Sequence, residues 1–271
     1  MNMNKLALFS FIKDEIDFIK SFIEYHQNIF DIITIIDNGS TDGTLEILQE
    51  YEKNSSIILI KEESHFSMKG DICSKIMKNS SCDLLVGLDA DEIIIFDDGE
   101  MISKDTTYIR NYLQNLKING FKYKINKIYD YHPDNDGWYD ISGHTKIIFP
   151  KKTFMYTDVG FHRGRTTLDP ESDFDSNPYY WRTMFHNPNI EDKILPINIS
   201  YLHYHFKSKD IWLKNTEKKL KARLGDQWNN ISILEQYTGP SIHCKNRYIK
   251  YLKTSEWMTC KKTKFLGKEI I

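Results

Sequence analysis

Along the first ninety residues, four short apolar runs alternate with segments of helical periodicity, and this alternation constrains the fold more than any other feature. Leu6-Ala7-Leu8-Phe9-Ser10-Phe11 reads as a first strand. Lys13-Asp14-Glu15 follows, then an amphipathic helix with Ile16, Ile19, Phe22 and Ile23 on its apolar side. Residues 32–36 (Ile-Ile-Thr-Ile-Ile) are rich in strand formers and too short for a helix. After a second helix beginning near Thr44, Ile57–Ile60 predicts a third strand, 69–80 a third helix and Leu84–Leu88 a fourth strand. The order β-α-β-α-β-α-β predicts a parallel sheet covered by helices.

Two polar blocks punctuate this pattern at strand ends. Strand two runs into Asp37-Asn38-Gly39-Ser40-Thr41-Asp42-Gly43-Thr44. Its glycines permit backbone conformations that other residues resist, and Ser40, Thr41 or Asp42 can cap the following helix. Strand four runs into Asp89-Ala90-Asp91-Glu92. A D-x-D spacing occurs three times, at Asp89/Asp91, Asp134/Asp136 and Asp173/Asp175, about as often as chance would give. Only the first ends an apolar strand; the second sits in a Pro-Asp-Asn-Asp-Gly turn cluster. Ligands of open α/β sheets bind outside the carboxyl ends of the strands, and two carboxylates one residue apart can share a hard cation. A solvated acidic loop is the bland alternative.

Taken together, these blocks resemble the nucleotide-sugar half of a GT-A glycosyltransferase, more narrowly the inverting family-two type. The eight residues from Asp37 to Thr44, some fifty residues before Asp-Ala-Asp-Glu, are the specific part. The resemblance covers about 1–100 strongly and 140–206 more loosely. In the looser half, Thr145–Pro150 reads as a strand, Val159-Gly160-Phe161-His162-Arg163 ends another, and His203-Tyr204-His205-Phe206-Lys207-Ser208 leads into a helix. This is similar to bacterial family-two transferases that carry V-H-E and then H-Y-x-x-K-S. Arg163 stands where that pattern has glutamate, and an arginine cannot accept a proton at working pH.

The resemblance implies an α/β fold of GT-A type: a mostly parallel sheet with helices on both faces, plus a helical C-terminal appendage. It divides the chain into a glycosyltransferase domain over 1–206 and a helical basic segment over 207–271. Within the first, the nucleotide-sugar half covers about 1–100 and the acceptor half about 101–206. The implied reaction moves a sugar from a nucleoside-diphosphate sugar, a UDP-sugar before others, to a hydroxyl of a glycan or lipid-linked glycan acceptor with inversion. Mn²⁺ or Mg²⁺ would be held by Asp91 with His203, or His205 as its alternative, and Asp89 is a further candidate ligand. Asp37 would accept a hydrogen bond from the nucleobase, Ser10, Phe11 and Glu15 would lie along the nucleoside, and Lys69 would reach the base or diphosphate. Asp89 would contact the ribose or sugar. With Arg163 in place of the glutamate, the proton acceptor falls to Asp158 or His162, with Asp140 a further carboxylate nearby.

Composition bounds the rest. Net charge of −2 argues against a general nucleic-acid binder. The charge is uneven, however: residues 207–271 carry 15 basic and 6 acidic side chains, so the first 206 carry eleven excess negative charges. Ser208–Leu224 reads as an amphipathic helix with Trp212, Leu213, Leu220 and Leu224 available for burial. Its basic face is either solvated or makes a peripheral contact with an anionic membrane or acceptor. Cys73, Cys82, Cys244 and Cys260 show no C-x-x-C spacing, so reduced thiols are expected. With no leader pattern ahead of the first strand and no membrane-spanning run, the expected location is cytoplasmic, peripheral at a membrane at most. Tyr108–Leu116 predicts a helix, Gly120–Tyr131 one alternating strand, and Leu168–Tyr180 a long polar loop that could close over the acceptor. Trp138, Tyr139, Tyr179, Tyr180 and Trp181 could stack on sugar rings. Two rival readings are a nucleotidyltransferase, which needs a glycine- and lysine-rich loop where this chain has Phe11–Glu15, and a non-catalytic sugar-binding descendant of the fold.

Overall fold

A computed structural model describes residues 3–64, 68–131, 138–142, 146–158, 160–162, 164–168, 194–204, 209–238, 242–255 and 264–265. Arg163, His205, the Asp134/Asp136 and Asp173/Asp175 pairs, and Tyr179, Tyr180 and Trp181 lie outside these residues, as does most of the polar loop. Trp138, Tyr139 and Asp140 are described by their backbone alone.

The first elements follow the sequence pattern: β1 (Leu6–Ile12), α1 (Ile19–His26), β2 (Ile32–Asp37), α2 (Thr44–Lys53), β3 (Ile58–Lys61), α3 (Lys69–Lys78) and β4 (Leu84–Gly87). There follow β5 (Glu92–Asp97), β6 (Ile102–Ser103), α4 (Thr106–Gln114), β7 (Lys122–Ile125), β8 (Ile128–Tyr131), β9 (Trp138–Ser142), β10 (Ile147–Pro150), β11 (Phe154–Thr157), β12 (Gly164–Thr166), β13 (Ile194–Ile197) and β14 (Ile199–His203). The chain continues with α5 (Lys209–Leu224), α6 (Ile231–Gln236), α7 (Ile242–Thr254) and β15 (Lys264–Phe265).

These elements form two compact units, one of Met1–Tyr129 with Ser142–His203, the other of Asp130–Ile141 with Tyr204–Ile271. In the first, seven strands form a sheet of order β13-β7-β10-β4-β1-β2-β3. β4, β1, β2 and β3 are mutually parallel, and β10 is antiparallel to both β4 and β7. The short strands are apolar on both faces because both are covered. Leu6, Leu8, Ile33, Ile35, Leu84 and Val86 pack with Ile19, Phe22 and Ile23 of α1, Leu48 of α2 and Ile109 and Leu113 of α4. The alternate residues Ala7, Phe9, Ile36 and Leu85 pack with Cys73 and Met77 of α3. A second group of strands pairs β14 antiparallel to β5, and β5 antiparallel to β6.

The single strand expected over Gly120–Tyr131 is two, β7 and β8, interrupted at Asn126 and Lys127. The backbone N–H of Asn126 donates to the carbonyl of Ile199 at 2.7 Å, and that of Lys127 to Ser200 Oγ at 3.0 Å. β14 therefore captures the chain where β7 ends. Alternation alone cannot reveal such a break, since the polar–apolar period is continuous across it.

In the second unit β9 and β15 pair antiparallel. Trp212 and Leu220 of α5 are buried with Leu234 and Tyr248, and Leu213 and Leu224 pack partly buried against them. The apolar side of α5 is thus covered within its own unit. Among the described residues no helix is long and apolar enough to cross a membrane.

Two neighbouring residues of α1 hold β5 at Ile94. Tyr25 donates its hydroxyl to the Ile94 carbonyl at 2.7 Å. The neighbouring His26, fully buried, donates from Nδ1 to the Phe22 carbonyl at 2.8 Å and accepts from the Ile94 N–H at Nε2, 3.4 Å away. This pattern requires a neutral ring, and burial pushes the His26 imidazole down to about 3. Unfolding below pH 6.5 therefore takes up a proton, so stability falls as pH falls through the window from 6.5 to about 3. Through His26 alone, urea stability should drop by up to about 1.4 kcal/mol per pH unit between pH 7 and 5. A His26→Gln variant should show a correspondingly shallower fall. Parallel pH profiles for the two proteins would refute this assignment.

Candidate active site

The strand order places a cleft before any side chain is considered. Chain direction along the sheet reverses between β1 and β4: β2 and β3 extend to one side of β1, and β4 lies on the other. Open α/β sheets bind ligands at such switch points, outside the carboxyl ends of the strands. Here those ends carry Ser10 to Ile12, Asp37 and, two residues past β4, Asp89.

Two loops at this edge are knitted together by hydrogen bonds. Asp14 adopts φ +57°; its N–H donates to Ser40 Oγ at 2.9 Å, and its carboxylate accepts from the Thr41 N–H at 2.8 Å. The Glu15 N–H donates to Thr44 Oγ1 at 2.9 Å and the Ile16 N–H to Asp42 Oδ2 at 3.2 Å. Asp42 also accepts from the Thr44 N–H at 3.0 Å, while Gly43 precedes α2 at φ +102°. This φ lies in the left-handed region, so the position favours glycine. Much of the Asp37–Thr44 block therefore builds the rim of the cleft.

Inside the rim, three polar atoms are buried without a hydrogen-bond partner: Ser10 Oγ, Asp37 Oδ1 and Asn38 Oδ1. The other oxygen of Asp37 accepts from the Ser40 N–H at 3.1 Å. Buried acceptors normally find partners, so three orphans at adjacent strand ends mark a place where a ligand would complete them. Phe11, also buried, lies on the opposite face with its ring centroid 5.7 Å from Lys69 Nζ. Glu15 is half-buried on the rim.

At the end of β4 the charges form a buried cluster. Lys69 donates to Asp89 Oδ1 at 2.9 Å, and Lys146 donates to Asp89 Oδ2 at 2.8 Å. Lys146 also bonds Glu92 Oε2, which accepts the Asp89 N–H at 2.7 Å. The lysine side chains are 4% and 0% exposed, and Glu92 is 3%. Burial alone would raise the Asp89 carboxyl, but Lys146 and then Lys69 override it and hold it far below the usual carboxylate range. Burial would lower Lys146; Asp89 and Glu92 more than offset this and keep it charged. Burial pushes Glu92 up to about 7 against the pull of Lys146.

Asp91 lies between Asp89 and Glu92, with its Oδ2 3.6 Å from His203 Nε2. The pairing of β14 with β5 brings them together, since His203 is in register with Glu92. The pair offers one carboxylate and one imidazole to a cation; among the described residues no group of three His, Cys, Asp or Glu side chains converges as a metal cage.

Asp158 and His162 stand on the turn between β11 and β12, where Asp158 Oδ1 accepts the His162 N–H at 2.8 Å. Phe161, at φ +57°, is fully buried and carries the turn to the charged cluster. Its ring centroid lies 5.3 Å from Lys69 Nζ and 5.7 Å from Lys146 Nζ.

Residues 16–147 match the model of glycosyl transferase family 2. That stretch is similar to a family-two glycosyltransferase domain. It spans just under half of the chain, which as a whole is family-two-like with a GT-A type of sheet. Among solved structures, a 1–349 piece of S. aureus TarS aligns at 11% identity and TM-score 0.42, over 93% of this chain and 72% of that one. The same piece in complex with UDP aligns at 11% identity and TM-score 0.43, over 92% and 70%. Its complex with UDP-GlcNAc gives 11% and 0.42, over 92% and 71%. No curated protein matches the chain.

Sequence reasoning did not single out Lys146, Glu92, Phe161 or Asn38. Glu92 and Asn38 adjoin residues that it did select. Lys146 carried a weak signal, a cation opening the apolar run Ile147-Ile148-Phe149, and Phe161 carried none. The space for Phe161 comes from Gly87, where a Cβ would lie 2.1 Å from the ring. Gly87→Ala should destabilise the protein by about 1–3 kcal/mol in urea titrations, as overpacking does. The penalty should shrink in a Phe161→Leu background. Full additivity of the two changes would show that this contact does not govern the position.

Proposed function

We propose that this chain transfers a sugar from a nucleoside-diphosphate sugar to a hydroxyl of a glycan or lipid-linked glycan acceptor, with inversion and with help from Mn²⁺ or Mg²⁺. Glycosyl transfer itself is supported by the family-two match over residues 16–147. The observation that carries the donor assignment is the set of unpartnered buried atoms of Ser10, Asp37 and Asn38 at the strand ends. A carboxylate acceptor at Asp37 suits a ring N–H of the kind that uracil presents, which makes UDP-sugars the first donors to test.

In this reading Asp37 and Ser10 bind and orient the nucleoside, and the rim built by Asp14, Ser40, Thr41 and Asp42 holds them in place. The departing diphosphate develops negative charge; a bound divalent ion supplies Lewis acidity there, and Asp91 and His203 are the residues that would hold it. Lys69 is turned toward Asp89, so it acts on the donor through that carboxylate. A base on the β11–β12 turn, Asp158 or His162, takes the proton from the acceptor hydroxyl as it attacks the anomeric carbon from the face opposite the leaving group. The basic face of α5 reads best as a solvated face, since Trp212, Leu213, Leu220 and Leu224 are covered within its unit.

Asp37→Ala should weaken UDP binding by about 1–3 kcal/mol in calorimetry, the range for a lost hydrogen bond and an emptied buried site. Unchanged affinity would remove Asp37 from the donor site.

Hydrolysis of a UDP-sugar, which needs no acceptor, should depend on added Mn²⁺ and vanish in Asp91→Ala while the circular dichroism spectrum stays the same. Full activity in excess EDTA would end the role of the cation but leave glycosyl transfer standing.

A further inference from the structure

Asp89, Asp91 and Glu92 place three carboxylates within four residues just past the carboxyl end of β4. Such a density would ordinarily make a strong trap for hard cations, because affinity for Ca²⁺, Mg²⁺ or Mn²⁺ rises with the number of carboxylate ligands. Two of the three are held by lysines. Lys69 takes one oxygen of Asp89 and Lys146 the other, at 2.9 and 2.8 Å. Lys146 holds Glu92 as well, and the Asp89 N–H occupies the same Glu92 oxygen. Neither lysine can turn to water without breaking a buried pair, and buried pairs are little screened by salt. Two ammonium groups therefore face Asp89 and Glu92 in that cluster.

We propose that Lys146, assisted by Lys69, withholds Asp89 and Glu92 from divalent cations, so that the nucleotide-free protein binds the ion weakly and the donor diphosphate must complete its coordination. Lys146 is on this view a positioning residue that sets how many carboxylates the ion can reach. The inference rests on the cation reading given above, in which Asp91 and His203 hold the ion. It differs from a purely structural role for the lysines in one respect. A structural lysine, once removed, leaves cation affinity unchanged or lower; a withholding lysine, once removed, raises it.

The test is Mn²⁺ binding to the nucleotide-free protein, read from the electron paramagnetic resonance signal of unbound Mn²⁺. Replacing one positive charge by a methionine side chain should tighten Mn²⁺ binding in Lys146→Met at least about tenfold, a conservative figure for a unit charge a few ångströms away. Adding Asp89→Asn to that variant should abolish the gain, because Asp89 is the more exposed of the two released carboxylates. Should Lys146→Met fail to fold, Lys69→Met releases the other oxygen of Asp89 and should shift binding in the same direction. Unchanged or weaker Mn²⁺ binding in the folded variant would overturn the proposal, as would tight binding by the wild type without nucleotide. Repeating the wild-type measurement with UDP separates the two readings. Failure of UDP to enhance Mn²⁺ uptake would count against the cation reading, whereas the gain in Lys146→Met tests the lysines alone.

Discussion

The carboxylate of Asp89 lies between two buried ammonium groups, and much of the candidate site is arranged around that contact. Lys69 comes from α3, Lys146 from the residue before β10, and Asp89 from the end of β4. Three elements distant in sequence are therefore tied at one point on the carboxyl edge of the sheet. Phe161 closes the cluster from above and brings the β11–β12 turn with it. Breaking the cluster's fully buried contact, Lys146 with Glu92, would leave the Glu92 carboxyl buried without its cation, while Lys146 would keep Asp89 as a partner. The same ion pairs that hold the edge together also decide which carboxylates face the cleft.

This gives the acidic stretch after β4 a division of labour. Asp89 and Glu92 act inward, on the lysines; Asp91, one of the two residues between them, meets His203 across β5 and β14. The Asp37–Thr44 block is divided in a similar way. Ser40, Thr41, Asp42 and Thr44 bind the loop after β1, whereas Asp37 and Asn38 keep buried oxygens at the strand ends. In both blocks most polar residues build the frame, and only one or two stand apart from it.

The sheet of the first ninety residues was legible because each strand is short, apolar and bounded by turn residues, and because the intervening helices repeat their apolar positions. The resemblance to family-two transferases was legible in Asp37–Thr44 and Asp89–Glu92 for the same reason: local polar blocks at strand ends survive as contiguous text. The break between β7 and β8 was not legible, since Ile199 and Ser200 cause it from more than seventy positions away. Lys69 illustrates a halfway case. Its place at the head of a helix near the site could be read, but its partner could not.

The sequence by itself determined the alternating α/β order, the polar blocks at strand ends and the family that such blocks resemble, because these depend on period and spacing within a few residues. Tertiary structure alone decided what the carboxylates do. A buried charge takes its role from the nearest opposite charge, and for Asp89 and Glu92 that charge is Lys146, more than fifty residues downstream and fully enclosed.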